Sequence, residues 1–344
     1  MASVFDLLQA PYLAGFWNTN PQYTAPYLLE ALLPATKQMS DNVKNITGSD
    51  PLPELLDPTS DGSKALPVGR SGLDVGTLPT KRFKNFLNVG ESDLTDLSNA
   101  QATGDTVLTT TIFNKLYNDQ SKLLVQARFT REYYAMQALL NGKLTIGSML
   151  ADYGYQNSQF YTATNKWNAD GSNPYDDIQA VQNTASSKSG VQLQRAIMNQ
   201  ATMYALEHNT ALHNSIFAGT VAPQGAILTQ GAVQSYFSAV LGLNVVVYDK
   251  GYDANGTFTK FIPDGKIILL PGSGNAAIGN TVFVPTPEEK AAGDATLGQV
   301  AVVDTGVSVL TRTDYDPVSV YTKVDEQFIP TFTNARAQYV LTAY

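Results

Sequence analysis

Residues 244–270 read NVVVYDKGYDANGTFTKFIPDGKIILL, and this stretch decides the fold. Val245, Val246, Val247 and Tyr248 form a β-branched and aromatic run, the composition that fits a pleated, half-buried strand. Asn255-Gly256 is a strong short-range hairpin signal, because both central positions of a type I′ turn need positive φ. Phe261 and Ile262 follow, then Pro263-Asp264-Gly265, a turn in which Pro presets φ and Gly accepts a positive one. The apolar run 267–270 closes the stretch as a further strand. The reading is strand, turn, strand, turn, strand, and it contains no group suited to catalysis.

Toward the N-terminus, residues 111–141 give the clearest helix. Ile112, Leu116, Leu123, Leu124, Ala127, Tyr134, Ala138 and Leu140 recur at roughly helical spacing, with no Pro or Gly between them. Asp105 or one of Thr109, Thr110 and Thr111 caps its start, and Asn141-Gly142 stops it. At about 1.5 Å per residue, roughly 30 residues span about 45 Å, long enough for a spine under a sheet. Residues 143–172 read as a hairpin of strands 144–150 and 160–164. Asn173 caps and Pro174 opens a helix whose Asp176 and Asp177 favour the positive end of the macrodipole, ending near 187–190. A short strand to about Met198 and a helix over 200–217 lead into the opening stretch. Beyond it, 271–301 reads as loop, 302–310 and 318–324 as strands, and 338–343 as a last strand.

The N-terminal third is different in kind. Residues 1–60 hold Pro11, Pro21, Pro26, Pro34, Pro51, Pro53 and Pro58, with short apolar pieces between them that bury only against something else. They form either a meandering arm on their own domain or an arm that crosses neighbouring subunits. Residues 61–90 carry Lys64, Arg70, Lys81, Arg82 and Lys84 against Asp61 and Asp74, while 91–105 is purely acidic. A basic extended segment beside an acidic one suits charge pairing between copies; a solvated loop is the plainer reading.

Composition bounds the function. The 344 residues are 43% hydrophobic, enough for one large core or two linked ones. The net charge of −8, with only 15% charged residues, argues against a chain that wraps nucleic acid by counterion release. There is no cysteine, so disulfides and thiolate metal sites are excluded. No run of about 18 apolar residues is present, so no transmembrane helix is expected. The start, MASVFDLLQAPYLAGFW, lacks a basic n-region and does not read as a signal peptide.

Sites of chemistry are sparse. His208 and His213 lie five apart, about 140° around a helix, and cannot share a metal on one face. Asp176-Asp177 is better explained as a helix start than as a catalytic carboxylate pair. Pro271-Gly272-Ser273-Gly274 lacks the Gly-Lys-Ser/Thr of a phosphate loop. Asp249, Asp253 and Asn255 lack the spacing and closing Glu of a calcium loop. No catalytic residue, cofactor or metal is expected, and the chain does not read as an enzyme.

The order of these elements resembles a known family. ALLNGKLT at 138–145, Asp176-Asp177-Ile178, Ser189-Gly190-Val191 and then V-V-V-Y, N-G and F-I-P-D-G resemble the major capsid proteins of lambda-like tailed phages, the protein E family, most clearly over about residues 110–285. The resemblance implies an α+β chain with the tailed-phage and herpesvirus major capsid fold. It divides the chain into an N-terminal arm (1–40), an extended-loop region (41–100), a peripheral domain (101–172) with its spine helix at 111–141, an axial domain (173–304), and a return to the peripheral domain (305–344). Lys64, Arg70, Lys81, Arg82 and Lys84, with Arg128 and Arg131 on the long helix, become candidates for subunit contacts; Asn255, Gly256, Pro263, Asp264 and Gly265 are structural turns. The implied partners are further copies of the chain in an icosahedral shell, a separate scaffolding protein, a portal protein, an optional decoration protein and non-specifically packaged DNA, with no membrane. The chain is expected in the virion capsid, assembled in the host cytoplasm. Two other readings stand beside it: another phage assembly protein such as a tail tube subunit, and a secreted β-rich glycan-binding protein. The second needs an aromatic platform with paired carboxylates, whereas Trp17 and Trp167 lie far apart in sequence.

Overall fold

The computed structural model describes residues 8–20, 27–47, 74–218, 228–272, 276–292 and 298–344. In chain order they form α1 (Ala10–Thr19), α2 (Leu28–Leu32), β1 (Ala35–Lys37), β2 (Asn42–Thr47), β3 (Asp74–Pro79), β4 (Lys81–Val89), α3 (Glu91–Ala102) and the long α4 (Thr106–Asn141). There follow β5 (Lys143–Ile146), β6 (Met149–Asp152), β7 (Phe160–Thr162), α5 (Pro174–Ser189), β8 (Leu193–Met198), α6 (Gln200–Glu207), α7 (Thr210–Ile216) and α8 (Gln230–Leu241). The remainder is β9 (Asn244–Val247), β10 (Gly251–Ala254), β11 (Thr257–Lys260), β12 (Lys266–Pro271), β13 (Gly279–Phe283), α9 (Pro287–Lys290), β14 (Gln299–Asp304), β15 (Val307–Tyr315), β16 (Val318–Phe332) and β17 (Tyr339–Thr342). The chain divides into two compact units. The first draws on Met1–Val43, Leu78–Ala135 and Asn280–Thr331, the second on Lys44–Thr77, Met136–Gly279 and Phe332–Tyr344.

The first unit is a long sheet with the spine helix on one face. Its strand order is β1-β13-β16-β15-β14, with β4 also paired to β16. The 15-residue β16 organises it. Val318 to Glu326 run antiparallel to Tyr315 to Val307 on one edge, and Val320 to Phe328 antiparallel to Val89 to Lys81 on the other. The strand's period of two puts Val320, Thr322, Val324, Glu326 and Phe328 on one face, all buried. That face meets α4, where Gln120 Nε2 donates to Thr322 Oγ1 at 2.8 Å. Helix α1 seals the unit: Leu13 and Trp17 pack with Leu123, Leu124, Ala127, Val307, Val309 and Val324. Trp17 Nε1 donates to Ser121 Oγ at 2.5 Å.

Helix α4 starts five residues before the periodicity predicts. Asp105 Oδ1 accepts from the backbone N–H groups of Val107 and Leu108, at 3.0 and 2.9 Å, and so fixes the first turn. Thr109, Thr110 and Thr111, expected as caps, lie inside the helix, where each hydroxyl donates to the carbonyl four residues back. The helix stops where expected. Gly142 has φ +62°, its N–H reaches Ala138 O at 2.9 Å, and a Cβ there would lie 2.3 Å from the Tyr155 ring.

The second unit is built on a five-stranded sheet ordered β7-β17-β12-β8-β9. Strand β12 lies antiparallel to β8 and β17, while β8–β9 and β17–β7 are parallel. The core collects Ile178, Val181 and Ala185 of α5, Met203 and Leu206 of α6, Val233 and Phe237 of α8, and Ile267 and Leu269 of β12. The opening stretch folds as its turns require. Ala254 pairs with Thr257 across Asn255 (φ +55°) and Gly256 (φ +84°), and Lys266 N donates to Pro263 O at 3.1 Å. The V-V-V-Y and I-I-L-L strands are not neighbours, however: β8 lies between them, and β10–β11 form a ribbon of their own.

Other expectations shift for identifiable reasons. The hairpin expected over 143–172 closes earlier, as β5–β6, because Gly147 at φ +61° turns the chain inside the expected first strand; residues 160–162 join the second unit's sheet instead. The helix expected over 200–217 is two helices. Asn209 breaks it: its Oδ1 caps Leu212 N at 3.0 Å while Nδ2 donates to Ser172 Oγ at 2.7 Å. The strand expected over 302–310 is a hairpin, β14–β15, turning at Thr305-Gly306. Helices α1, α2, α3 and α8 and strand β13 arise where no element was expected.

Candidate functional site

The residues that looked most chemical are structural. His208 Nδ1 lies 2.9 Å from Tyr204 O with its ring against Tyr204, and His213 packs on Phe217. His208 closes α6 and His213 lies on α7, so the two are not on one helix. Asp177 is buried and accepts from Trp167 Nε1 at 2.8 Å and Tyr161 OH at 3.2 Å, so it organises packing rather than merely facing the helix dipole. Asn173, at the start of α5, turns its Nδ2 to Asp176 at 2.6 Å instead of capping a backbone N–H. Asp253 Oδ1 accepts from Gly256 N and so serves the turn. Ser273 and Gly274 lie outside the described residues. Among the described residues no group of three His, Cys, Asp or Glu is placed to hold a metal. A cavity of about 1030 Å3 opens in the second unit beside Tyr204, His208, Asp249 and Lys260. Asp249 and Lys260 are paired there at 3.3 Å.

The charged groups of the first unit form two systems. One lies along β4. Lys81 and Lys84 are exposed, whereas Arg82 makes a two-point contact with Asp325 and also reaches Glu288. Lys323 joins Glu288 from the same sheet. Hydrogen bonding to Asp325 raises the Arg82 pKa against the opposing effect of burial, while burial raises that of Asp325. Beside this cluster Phe86 stacks on Tyr321, and Arg312 lies over the same Tyr321 ring at 4.7 Å. Phe86 remains 60% exposed, so an aromatic and basic strip is open on this sheet.

The second system is internal. Arg128 and Arg131, expected at a subunit interface, are 7% and 5% exposed and engaged within the chain. Arg128 pairs with Glu30 and lies over the Tyr27 ring at 5.0 Å. Arg131 contacts Asp304 at 3.2 Å and Glu326 at 3.3 Å. Their positions on α4, three apart, aim both at the carboxylates of α2, β14 and β16. Lys64 and Arg70 lie outside the described residues. Sequence reading missed Glu30, Asp304, Asp325 and Glu326 as partners. The signal was present for Glu326, a charge at an inward position of an alternating strand.

The family model for phage major capsid protein E matches residues 10–340. The chain belongs to the phage major capsid protein E family. It is therefore a structural shell protein of the virion. No curated protein sequence matches it significantly. Solved structures show the same fold at low identity. The putative capsid protein of a prophage of E. coli CFT073 is 15% identical with a TM-score of 0.63, covering 98% of this chain and 99% of that one. A phage-related protein of Bordetella bronchiseptica RB50 is 14% identical with a TM-score of 0.57, covering 100% and 98%. The capsid protein in the cyanophage A-1(L) asymmetric unit is 11% identical with a TM-score of 0.51, covering 92% and 91%. The α+β fold expected from the sequence, with a spine helix against a long sheet, is that of tailed-phage capsid proteins. No helix among the described residues is long and apolar enough to cross a membrane.

Proposed function

We propose that the chain assembles into pentamers and hexamers of an icosahedral shell around packaged double-stranded DNA. The family match over residues 10–340 carries this reading. The unit holding the spine helix and long sheet takes the peripheral role and the five-stranded unit the axial role. A separate scaffolding protein and a portal protein direct assembly in the host cytoplasm, and the finished shell admits a decoration protein. Lys81 and Lys84, exposed on β4 beside the aromatic strip, are the contact residues best placed to meet a neighbouring copy; Lys64 and Arg70 belong to the same basic segment. Arg128 and Arg131 support contacts indirectly, by fixing the arm-proximal helix α2 to the spine. The acidic balance suits a wall that encloses DNA without gripping it.

Electron microscopy of the full chain, alone and co-expressed with a scaffolding protein, tests the reading. Closed shells or ring-shaped capsomers are the expected result. Rods of uniform width would favour a tail tube, and a chain that stays monomeric under all conditions would overturn the proposal.

A further inference from the structure

Glu326 is the anomaly of the first unit. It stands on the inward face of β16 between Val324 and Phe328, is 1% exposed, and neither carboxylate oxygen has a hydrogen-bond partner. Its nearest counter-charge is Arg131 Nε at 3.3 Å. That guanidinium is shared: Nη1 lies 3.2 Å from Asp304 and Nη2 3.7 Å from Glu30, and the group sits over the Phe283 ring at 5.4 Å. Glu30 is also held by Arg128 and accepts from Tyr27 N at 2.9 Å; Glu132 accepts from Leu29 N at 3.2 Å. Arg131 is thus where α2, the 304–306 turn and β16 meet on the spine helix.

The charges facing Glu326 do not favour its ionisation. Asp304 and Glu30 compete for Arg131, and Asp325 on the same strand is taken by Arg82. Arg82 and Lys84 of β4, with Asn85 and Thr130, share with Glu326 the lining of a cavity of about 320 Å3. A buried carboxylate without hydrogen bonds keeps its proton unless a dedicated cation balances it. Burial accordingly pushes the Glu326 pKa up to about 8, with Arg131 opposing and Asp304, Glu30 and Asp325 adding to the rise.

We propose that Glu326 is a proton-operated latch in the first unit. Neutral, it leaves the Arg131 guanidinium to Asp304 and Glu30, and α2 and the 304–306 turn are held on the spine helix. Ionised, it claims Arg131, frees the 304–306 turn and weakens the hold on α2, which then rests on Arg128 and Glu132. Asp304, with 48% of its side chain exposed, moves into water first. The sign follows from linkage: a carboxyl raised from its ordinary 4.5 to about 8 contributes stability that is full below 4.5 and is lost as pH rises through about 8. The latch is a property of the folded unit and is independent of the shell reading.

Hydrogen exchange of the full chain between about pH 6 and about pH 9.5, corrected for intrinsic rates, tests it. In the wild type, amides of residues 28–33 and 304–306 should exchange about tenfold faster above the transition, with a midpoint near 8. In Glu326→Gln, which keeps the shape of the neutral acid, the same amides should stay slow throughout. Infrared difference spectra should show a protonated-carboxyl band at neutral pH in the wild type that the variant lacks. Parallel exchange profiles in the two proteins, or no such band difference, overturn the proposal. If the variant does not fold, the wild type decides alone: a flat exchange profile for both segments, or a carboxyl band that is already gone at neutral pH, overturns it.

Discussion

Gly256 shows how one residue commits the chain. Its φ of +84° is forced by the two-residue turn, yet a Cβ there would meet nothing within 4 Å. The cost of replacing it is therefore one of backbone conformation alone. Gly256→Val should destabilise the subunit by about 1 kcal/mol or more, read as a lower thermal midpoint; an unchanged melting curve would count against the turn assignment. Asp177 teaches the opposite lesson. Its adjacency to Asp176 suggested helix-dipole electrostatics, but its carboxylate is the acceptor for the buried Trp167 indole. Asp177→Ala leaves that N–H unpaired, at a cost of about 1–3 kcal/mol in denaturant titration. Arg128 is a third case. On helix propensity and charge alone, Arg128→Lys is a mild change. The two-point contact with Glu30 and the stacking over Tyr27 make it otherwise, because an ammonium reproduces neither. A loss of about 1 kcal/mol or more in the same titration is expected, and a stability equal to the wild type would show the fork to be dispensable.

At the scale of elements, α4 and β16 carry the first unit. Ala127 packs against Leu13 and Val309 in the middle of α4, whose interior holds neither Gly nor Pro. Ala127→Pro removes a backbone hydrogen bond and clashes with the preceding turn, costing about 3 kcal/mol or more. It should abolish particle formation under the microscope, since a bend there displaces the sheet contacts on both sides of it. Normal particles from this variant would mean that α4 is not a spine. The helix was legible because its apolar spacing persists over many turns. The sequence leaves its start open between Asp105 and three consecutive threonines, and the structure gives the cap to Asp105. Strand β16 was read only to residue 324; the charged pair Asp325-Glu326 hid its continuation, which the pairing with β4 and β15 reveals, with Asp325 met by Arg82 of β4 and Glu326 facing Arg131 of α4.

At the scale of the whole molecule, charge reversal separates contacts between copies from contacts within one. Arg82 is tied to Asp325 and Glu288, so its reversal would damage the fold itself. The cleaner probe is the pair Lys81→Glu and Lys84→Glu, both exposed on β4. It should slow assembly and steepen its salt response while leaving the thermal midpoint within about 0.5 kcal/mol equivalent of the wild type. Wild-type assembly yield at low salt would remove these lysines from any interface. The sequence by itself determined the local elements with strong internal signals: the Asn255-Gly256 ribbon, the Pro263-Asp264-Gly265 turn, the α4 spacing and stop, the Asn173-Pro174 helix start, and the ordered motifs that mark the family. These depend on backbone preferences and periodicity, which neighbouring residues alone can set. Only the tertiary structure decided that β8 separates β9 from β12, that β7 joins a different sheet from its expected hairpin partner, and that Arg128 and Arg131 face inward. Strand neighbours and ion-pair partners lie tens to hundreds of residues apart, as Arg131 and Glu326 do. Their pairing is chosen by which burial leaves the fewest charges uncompensated, a quantity that no local stretch of sequence contains.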